Sequence, residues 1–118
     1  LIPYVRKKIV NGKSLEKINL ENQNDFIYIK DCCKIIYTSI LRKLPSGIYN
    51  LGTGKLVSVG FITNLILKYF KKDEIKSRKK LKSSIYASKT KYTNHFTKIK
   101  LTNTKNAILE TLKSYETS

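Results

Sequence analysis

The sequence holds no run of about 18 apolar residues, so no membrane-spanning helix is written into it. Its opening residues also lack the apolar core of a signal peptide. There is one histidine, His95, and two cysteines, Cys32 and Cys33, which are adjacent. Neighbouring positions in a regular helix point to different faces, which argues against an ordinary disulfide between them. A single histidine leaves no evident zinc ligand set. Two buried apolar thiols in a reducing compartment are the expectation, and with them a cytoplasmic location. Acidic residues are scarce: 8 Asp and Glu stand against 24 Lys and Arg, a net charge of +16. Arginine occurs only at Arg6, Arg42 and Arg78.

What is present describes one domain. A chain of 118 residues can bury a real core but is too short for two ordinary domains, so residues 1–118 are read as one unit. With 41% hydrophobic and 27% charged residues, the composition argues against disorder. The charge points to nucleic acid, an acidic membrane surface or a polyanionic ligand as partner. The lysines are nevertheless scattered among Asn, Ile and Ser, with one dense run from Lys71 to Lys82. Leu1-Ile2-Pro3 opens abruptly, and the chain is expected to be a fragment.

Along the chain, Pro3 favours a helix start, apolar Val5, Ile9 and Val10 follow, and Asn11-Gly12 supplies a stop. Residues 13–22 read as loop with a short strand. Phe26 to Ile29 predicts a strand by composition, with Asp31 as the N-cap of the next helix. In that helix Cys32, Cys33, Ile36, Ile40, Leu41 and Leu44 hold helical spacing, and Pro45-Ser46-Gly47 ends it. Ile48 to Leu51 predicts a second strand, and Gly52-Thr53-Gly54 a turn. Ser58 caps a helix to about Tyr69 with the stripe Phe61, Ile62, Leu65, Ile66, Tyr69. A basic loop, a strand over Ser83 to Tyr86, a helical turn from Ser88 and a final helix from Thr104 complete the chain. The final stripe is Ala107, Ile108, Leu112 and Tyr115. This order predicts a small α/β layer with helices packed on a short sheet.

Several tempting motifs fail on spacing. A dinucleotide fingerprint on Gly52-Thr53-Gly54 needs glycine at 57, where Val57 stands. A Walker A loop from Gly47 to Gly52 needs lysine where Thr53 stands. A structural turn is the favoured reading. Tyr86 and Lys89 have two residues between them, one short of the helical turn that lets an ammonium depress a catalytic phenol. His95 has no carboxylate nearby in sequence and reads as a packing or surface residue. Arg78, inside the basic run, is the residue able to grip a phosphate bidentately.

Two stretches carry a resemblance. Asn24-Asp25-Phe26-Ile27-Tyr28-Ile29-Lys30-Asp31 is followed by Gly47-Ile48-Tyr49-Asn50-Leu51-Gly52-Thr53-Gly54-Lys55 and then Val57-Ser58-Val59. Together they resemble the C-terminal half of the NAD-dependent nucleotide-sugar epimerases and dehydratases, the extended short-chain dehydrogenase/reductases. The family pattern reads Arg-Asp-Phe-(Ile/Val)-Tyr-Val-Asp-Asp, an apolar helix, Tyr-Asn-(Leu/Ile)-Gly-(Thr/Ser)-Gly, and a helix opening on Ser-Val. Ala87-Ser88-Lys89 and the helix ending near Tyr115 are similar to the family's closing segment.

The resemblance implies a fold: the small C-terminal substrate-binding α/β domain of such an enzyme, Rossmann domain absent. It places the NAD loop and the catalytic Tyr and Lys in that Rossmann domain, so NAD belongs to the parent enzyme and no catalytic residue is expected here. The parent reaction would oxidise a sugar carbon transiently on NAD, epimerise or dehydrate beside the ketone, and return the hydride. The implied partners are a nucleotide-diphosphate sugar, the Rossmann domain and a second copy in a homodimer. The substrate-binding residues it implies are Asn24, Arg78 and Tyr28. Asn24 stands where the family has an arginine on the diphosphate, and Lys30 where it has the first of two acids; an amide cannot make the bidentate ion pair. Loss of the Rossmann sheet implies an uncovered apolar face and self-association. The alternative function is a free-standing basic module that binds nucleic acid or acidic surfaces. The aromatic residues fall mainly on core stripes rather than among the lysines, which is not how a base-stacking platform is built.

Overall fold

The computed structural model describes residues 1–76, 84–85 and 99–116. In order, the elements are α1 (Ile2–Val10), β1 (Gln23–Asn24), α2 (Ile29–Leu41), β2 (Val57–Ser58), α3 (Val59–Tyr69), β3 (Ser84–Ile85) and α4 (Thr104–Ser114). The sheet order is β2-β1-β3: β1 runs antiparallel to β2, with Gln23 opposite Ser58 and Asn24 opposite Val57, and parallel to β3.

Each strand is two residues long, so the sheet alone cannot organise the chain, and α3 does so instead. Its N-cap Ser58 accepts from the Phe61 amide at 3.1 Å, satisfying one of the amides that a helix start leaves open. The amides of Val59 and Gly60 donate to Asn22 and Leu20 carbonyls at 2.8 and 2.9 Å, carrying the β1–β2 ladder into the helix. Gly60 permits this approach: a Cβ there would lie 3.1 Å from the Leu20 carbonyl oxygen. α1 packs on one side of α3 and α4 on another. The core between them is Val5, Leu15, Ile62, Ile66, Leu67, Ile108 and Leu112.

The helices expected from Pro3, Ser58 and Thr104 are all present, as is a strand within 83–86. α4 buries Ala107, Ile108 and Leu112 of its expected stripe, and Asn103 caps it by accepting from the Lys105 amide at 2.9 Å. On α3 the stripe is shifted, since Phe61 is exposed while Thr63 and Leu67 are buried. The helical turn from Ser88 lies outside the described residues.

Four expectations are corrected. Phe26 to Ile29 is not a strand: α2 begins at Ile29, and the Tyr28 carbonyl already accepts from the Cys32 amide at 3.1 Å as its first helical bond. Ile48 to Leu51 lies outside the sheet, with Ile48 86% exposed, and the Tyr49 hydroxyl donates back to the Pro45 carbonyl at 2.9 Å. Asp31 is not the N-cap, a place held by Tyr28, but the third residue of α2. Cys33 is exposed and Cys32 half-buried, because α2 turns Ile35 inward instead. Ile35 centres a second, smaller cluster with Ile27, Leu44, Leu51, Ile99 and Leu101.

Two substitutions in α3 test this core in opposite directions. Ile66 is fully buried, so Ile66→Ala is expected to cost about 2–5 kcal/mol in chemical denaturation. Thr63 is equally buried, and its hydroxyl has no hydrogen-bond partner among the described residues. Thr63→Val removes that orphan and is expected to stabilise by about 1 kcal/mol, read as a rise of several degrees in Tm.

Candidate functional site

The segment from Gln23 to Asp31 leaves the sheet, crosses to α2 and is fastened at three points by side chains. Asp25 follows β1 directly. Its Oδ1 accepts from the Thr53 amide at 2.8 Å and from the Thr53 hydroxyl, and its Oδ2 accepts from the Gly54 amide at 2.7 Å. The glycine at 54 has φ +66°, the left-handed turn conformation that aims both amides at one carboxylate. The two halves of the sequence motif are thus bonded to each other.

This also decides what the Gly52-Thr53-Gly54 turn can do. The Thr53 and Gly54 amides that a pyrophosphate would need are taken by an anionic side chain, whose charge would repel a phosphate. Together with Val57 in the third glycine position, this shows that the turn does not fit NAD.

Asp31 makes the second fastening. It is 6% exposed, and its carboxylate accepts from the Thr102 amide at 2.7 Å and the Thr102 hydroxyl at 2.9 Å, tying α2 to the approach of α4. A buried carboxylate with two donors from one residue is satisfied where it lies.

The third fastening joins Tyr28, Lys30 and Glu110 at the surface. Glu110 Oε2 accepts from the Tyr28 hydroxyl at 2.9 Å and from Lys30 Nζ at 3.0 Å. The Lys30 ammonium also lies 5.8 Å from the Tyr28 ring centroid. The Lys30 hydrogen bond, then that of Tyr28, holds the Glu110 carboxyl below its ordinary range. Glu110 in turn raises the Lys30 ammonium, and partial burial followed by the Glu110 bond raises the Tyr28 phenol.

Between this segment and α4 lies a cavity of about 230 Å³ walled by Phe26, Tyr28, Ile62, Thr102, Ala107 and Thr111 among others. Of the residues implied as substrate-binding, Tyr28 lines it. Asn24 lies half-buried in the central strand, opposite Val57. Arg78 lies outside the described residues, as do Tyr86, Lys89, His95 and the second half of the basic run. Residue spacing did not single out Glu110, Thr102 or the role of Asp25: the first two meet their partners across 80 and 71 residues, and only tertiary structure joins them.

No family model matches the chain. Over 35 residues it is 49% identical to the ADP-L-glycero-D-manno-heptose-6-epimerase of Fusobacterium nucleatum, a match covering 30% of this chain and 10% of that one. Over 75 residues it is 37% identical to an uncharacterized protein of Methanocaldococcus jannaschii, covering 63% and 22%. The fold is similar to that of the Bordetella bronchiseptica enzyme WbmG, solved in complex with NAD and UDP. There the TM-score is 0.81 at 20% identity, over 98% of this chain and 39% of that one. The UDP-glucuronic acid 4-epimerase from Bacillus cereus, solved with NAD, gives 0.73 at 19% identity over 91% and 35%. The fold is that of part of the NAD-dependent nucleotide-sugar epimerases, as the sequence resemblance implies. The chain spans about two-fifths or less of the length of these proteins.

The surface cluster makes a titration prediction. Because the Glu110 pKa is depressed, its contribution to stability is present above the unfolded carboxyl pKa and is lost as pH falls through the folded one. Carboxyl-carbon NMR is expected to place Glu110 below an ordinary glutamate, and Lys30→Ala to move it back up. Tyr28→Phe is expected to move it in the same direction by less.

Proposed function

We propose that the chain is the C-terminal nucleotide-sugar-binding portion of an NAD-dependent sugar epimerase or dehydratase. In this reading residues 1–118 form a single substrate-binding domain. NAD and the catalytic Tyr and Lys belong to the N-terminal Rossmann portion of such an enzyme. The observation that carries the reading is the Asp25 tie: the Asn24–Asp31 and Gly47–Lys55 stretches, the two halves of one sequence pattern, meet in space through Asp25, Thr53 and Gly54. The fold likeness to an enzyme solved with NAD and UDP supports the same reading.

The chain's own residues would bind and orient rather than transform. Arg78 supplies a guanidinium for the diphosphate, Tyr28 a ring on the cavity wall, and Asn24 an amide in place of the expected arginine. Because Asn24 brings no charge, the diphosphate is held by fewer charge-assisted bonds.

Calorimetric titration with UDP and a UDP-sugar tests this directly. Saturable binding is expected, weakened about tenfold or more by Arg78→Ala, the loss expected of one charge-assisted contact. Asn24→Arg is expected to tighten it by a similar factor. A random oligonucleotide at low and moderate salt is the counter-test. Tight oligonucleotide binding with a steep salt slope, and no response to the nucleotide sugar, would establish the basic-module alternative instead.

A further inference from the structure

Tyr28 belongs both to the cavity and to the surface cluster: it lines the one, and its hydroxyl donates to Glu110 in the other. The cavity, about 230 Å³, has Phe26, Ile27, Ile62, Ala107 and Ile108 on its walls. Two of the threonines that also line it are committed elsewhere. The Thr102 hydroxyl donates to Asp31 at 2.9 Å and the Thr111 hydroxyl to the Ala107 carbonyl at 2.7 Å. A group that enters such a space without losing hydrogen bonds is apolar. An apolar cavity of about 150 Å³ takes a benzene, so this one has room for an aromatic ring and a short tail.

At the cluster two donors converge on one oxygen. The Tyr28 hydroxyl and Lys30 Nζ reach Glu110 Oε2 at 2.9 and 3.0 Å. Both donors sit on one short segment, whereas the acceptor comes from α4, so the donors stay together when the acceptor leaves. Two donors held at one anionic oxygen make a carboxylate site, and the chain's own carboxylate fills it. Glu110 is replaceable there. Its side chain is 48% exposed and that of Lys30 73%, and exposed ion pairs hold weakly. Lys113, one turn further along α4, already acts on the Glu110 charge and can receive it. The cluster also adjoins the cavity in sequence, since Ile29 beside Lys30 and Thr111 beside Glu110 are both lining residues.

We propose that Tyr28 and Lys30 form a carboxylate site adjoining an apolar cavity, and that Glu110 fills it as an internal stand-in. The ligand that displaces Glu110 is a small arylalkanoic acid, its ring in the cavity and its carboxylate on the two donors. The proposal does not rest on nucleotide-sugar binding, which is tested with other probes.

NMR titration of the 118-residue chain with 3-phenylpropionate tests it. Saturable shifts are expected in the amides of Phe26, Ala107 and Thr111, together with the Glu110 carboxyl carbon as its partners leave it. Acetate, which has no ring, and 3-phenylpropionamide, which has no charge, are each expected to bind about tenfold more weakly or worse. Lys30→Ala is expected to weaken 3-phenylpropionate by about tenfold or more, the loss of one charge-assisted contact. Glu110→Gln is expected to tighten it about two- to fivefold, because the internal competitor is weakened. Thr111→Leu, which fills the cavity from α4, is expected to remove the advantage of 3-phenylpropionate over acetate. Lys72→Gln, which loses the same charge at an exposed position away from the cavity, is expected to change nothing. Absence of saturable binding in both the wild-type chain and Glu110→Gln overturns the proposal. So does equal binding of acetate or inorganic phosphate, which marks general attraction to a chain of charge +16. A loss on Lys72→Gln as large as that on Lys30→Ala overturns it in the same way.

Discussion

The fold depends on carboxylates doing what a sheet would normally do. With strands of two residues, few ladder hydrogen bonds hold Gln23–Asp31 in place. Asp25 and Asp31 compensate by each accepting from a backbone amide and a hydroxyl far along the chain, Asp25 from a second amide as well. Such bonds to an ionised acceptor are stronger than neutral ones, and their geometry is specific. They fix where α2 starts, where the Gly52-Thr53-Gly54 turn lies, and how α4 approaches.

The helices around α3 were legible because each announces itself twice, by a capping or stop residue and by a stripe. Ser58 before the 61–69 stripe and Thr104 before Ala107, Ile108 and Leu112 are cases where both signals agree. The two expected strands were not legible. Phe26-Ile27-Tyr28-Ile29 and Ile48-Tyr49-Asn50-Leu51 have β-favouring composition, but β preference mostly reports fit to a half-buried pleated surface, and neither segment lies in the sheet. In α2 the apolar positions were found but their direction was not, because periodicity identifies a stripe without saying which side of the helix the protein lies on. The three ties of the candidate site are long-range and leave no local trace, apart from Asp25 and the glycine turn, which belong to one recognised pattern.

On function, the Asp25 tie acts in two directions. It strengthens the case that the two motif stretches form one structural unit. It also removes the turn from consideration as a dinucleotide cradle. The surplus of lysine fits either an anionic ligand or general solubility.

The unequal division of the core carries a dynamic consequence. Among the described residues, α1, α3 and α4 share with Leu15 a cluster of seven buried side chains, whereas the cluster that holds α2 and the 44–51 segment contains one, Ile35. Free energies of local opening follow such differences. Residues 29–51 are therefore expected to open ahead of the three-helix core, once the Asp31–Thr102 and Lys30–Glu110 ties let go. Backbone amides of α2 would then exchange with solvent hydrogen well ahead of those in α3, although both helices are of comparable length and regularity.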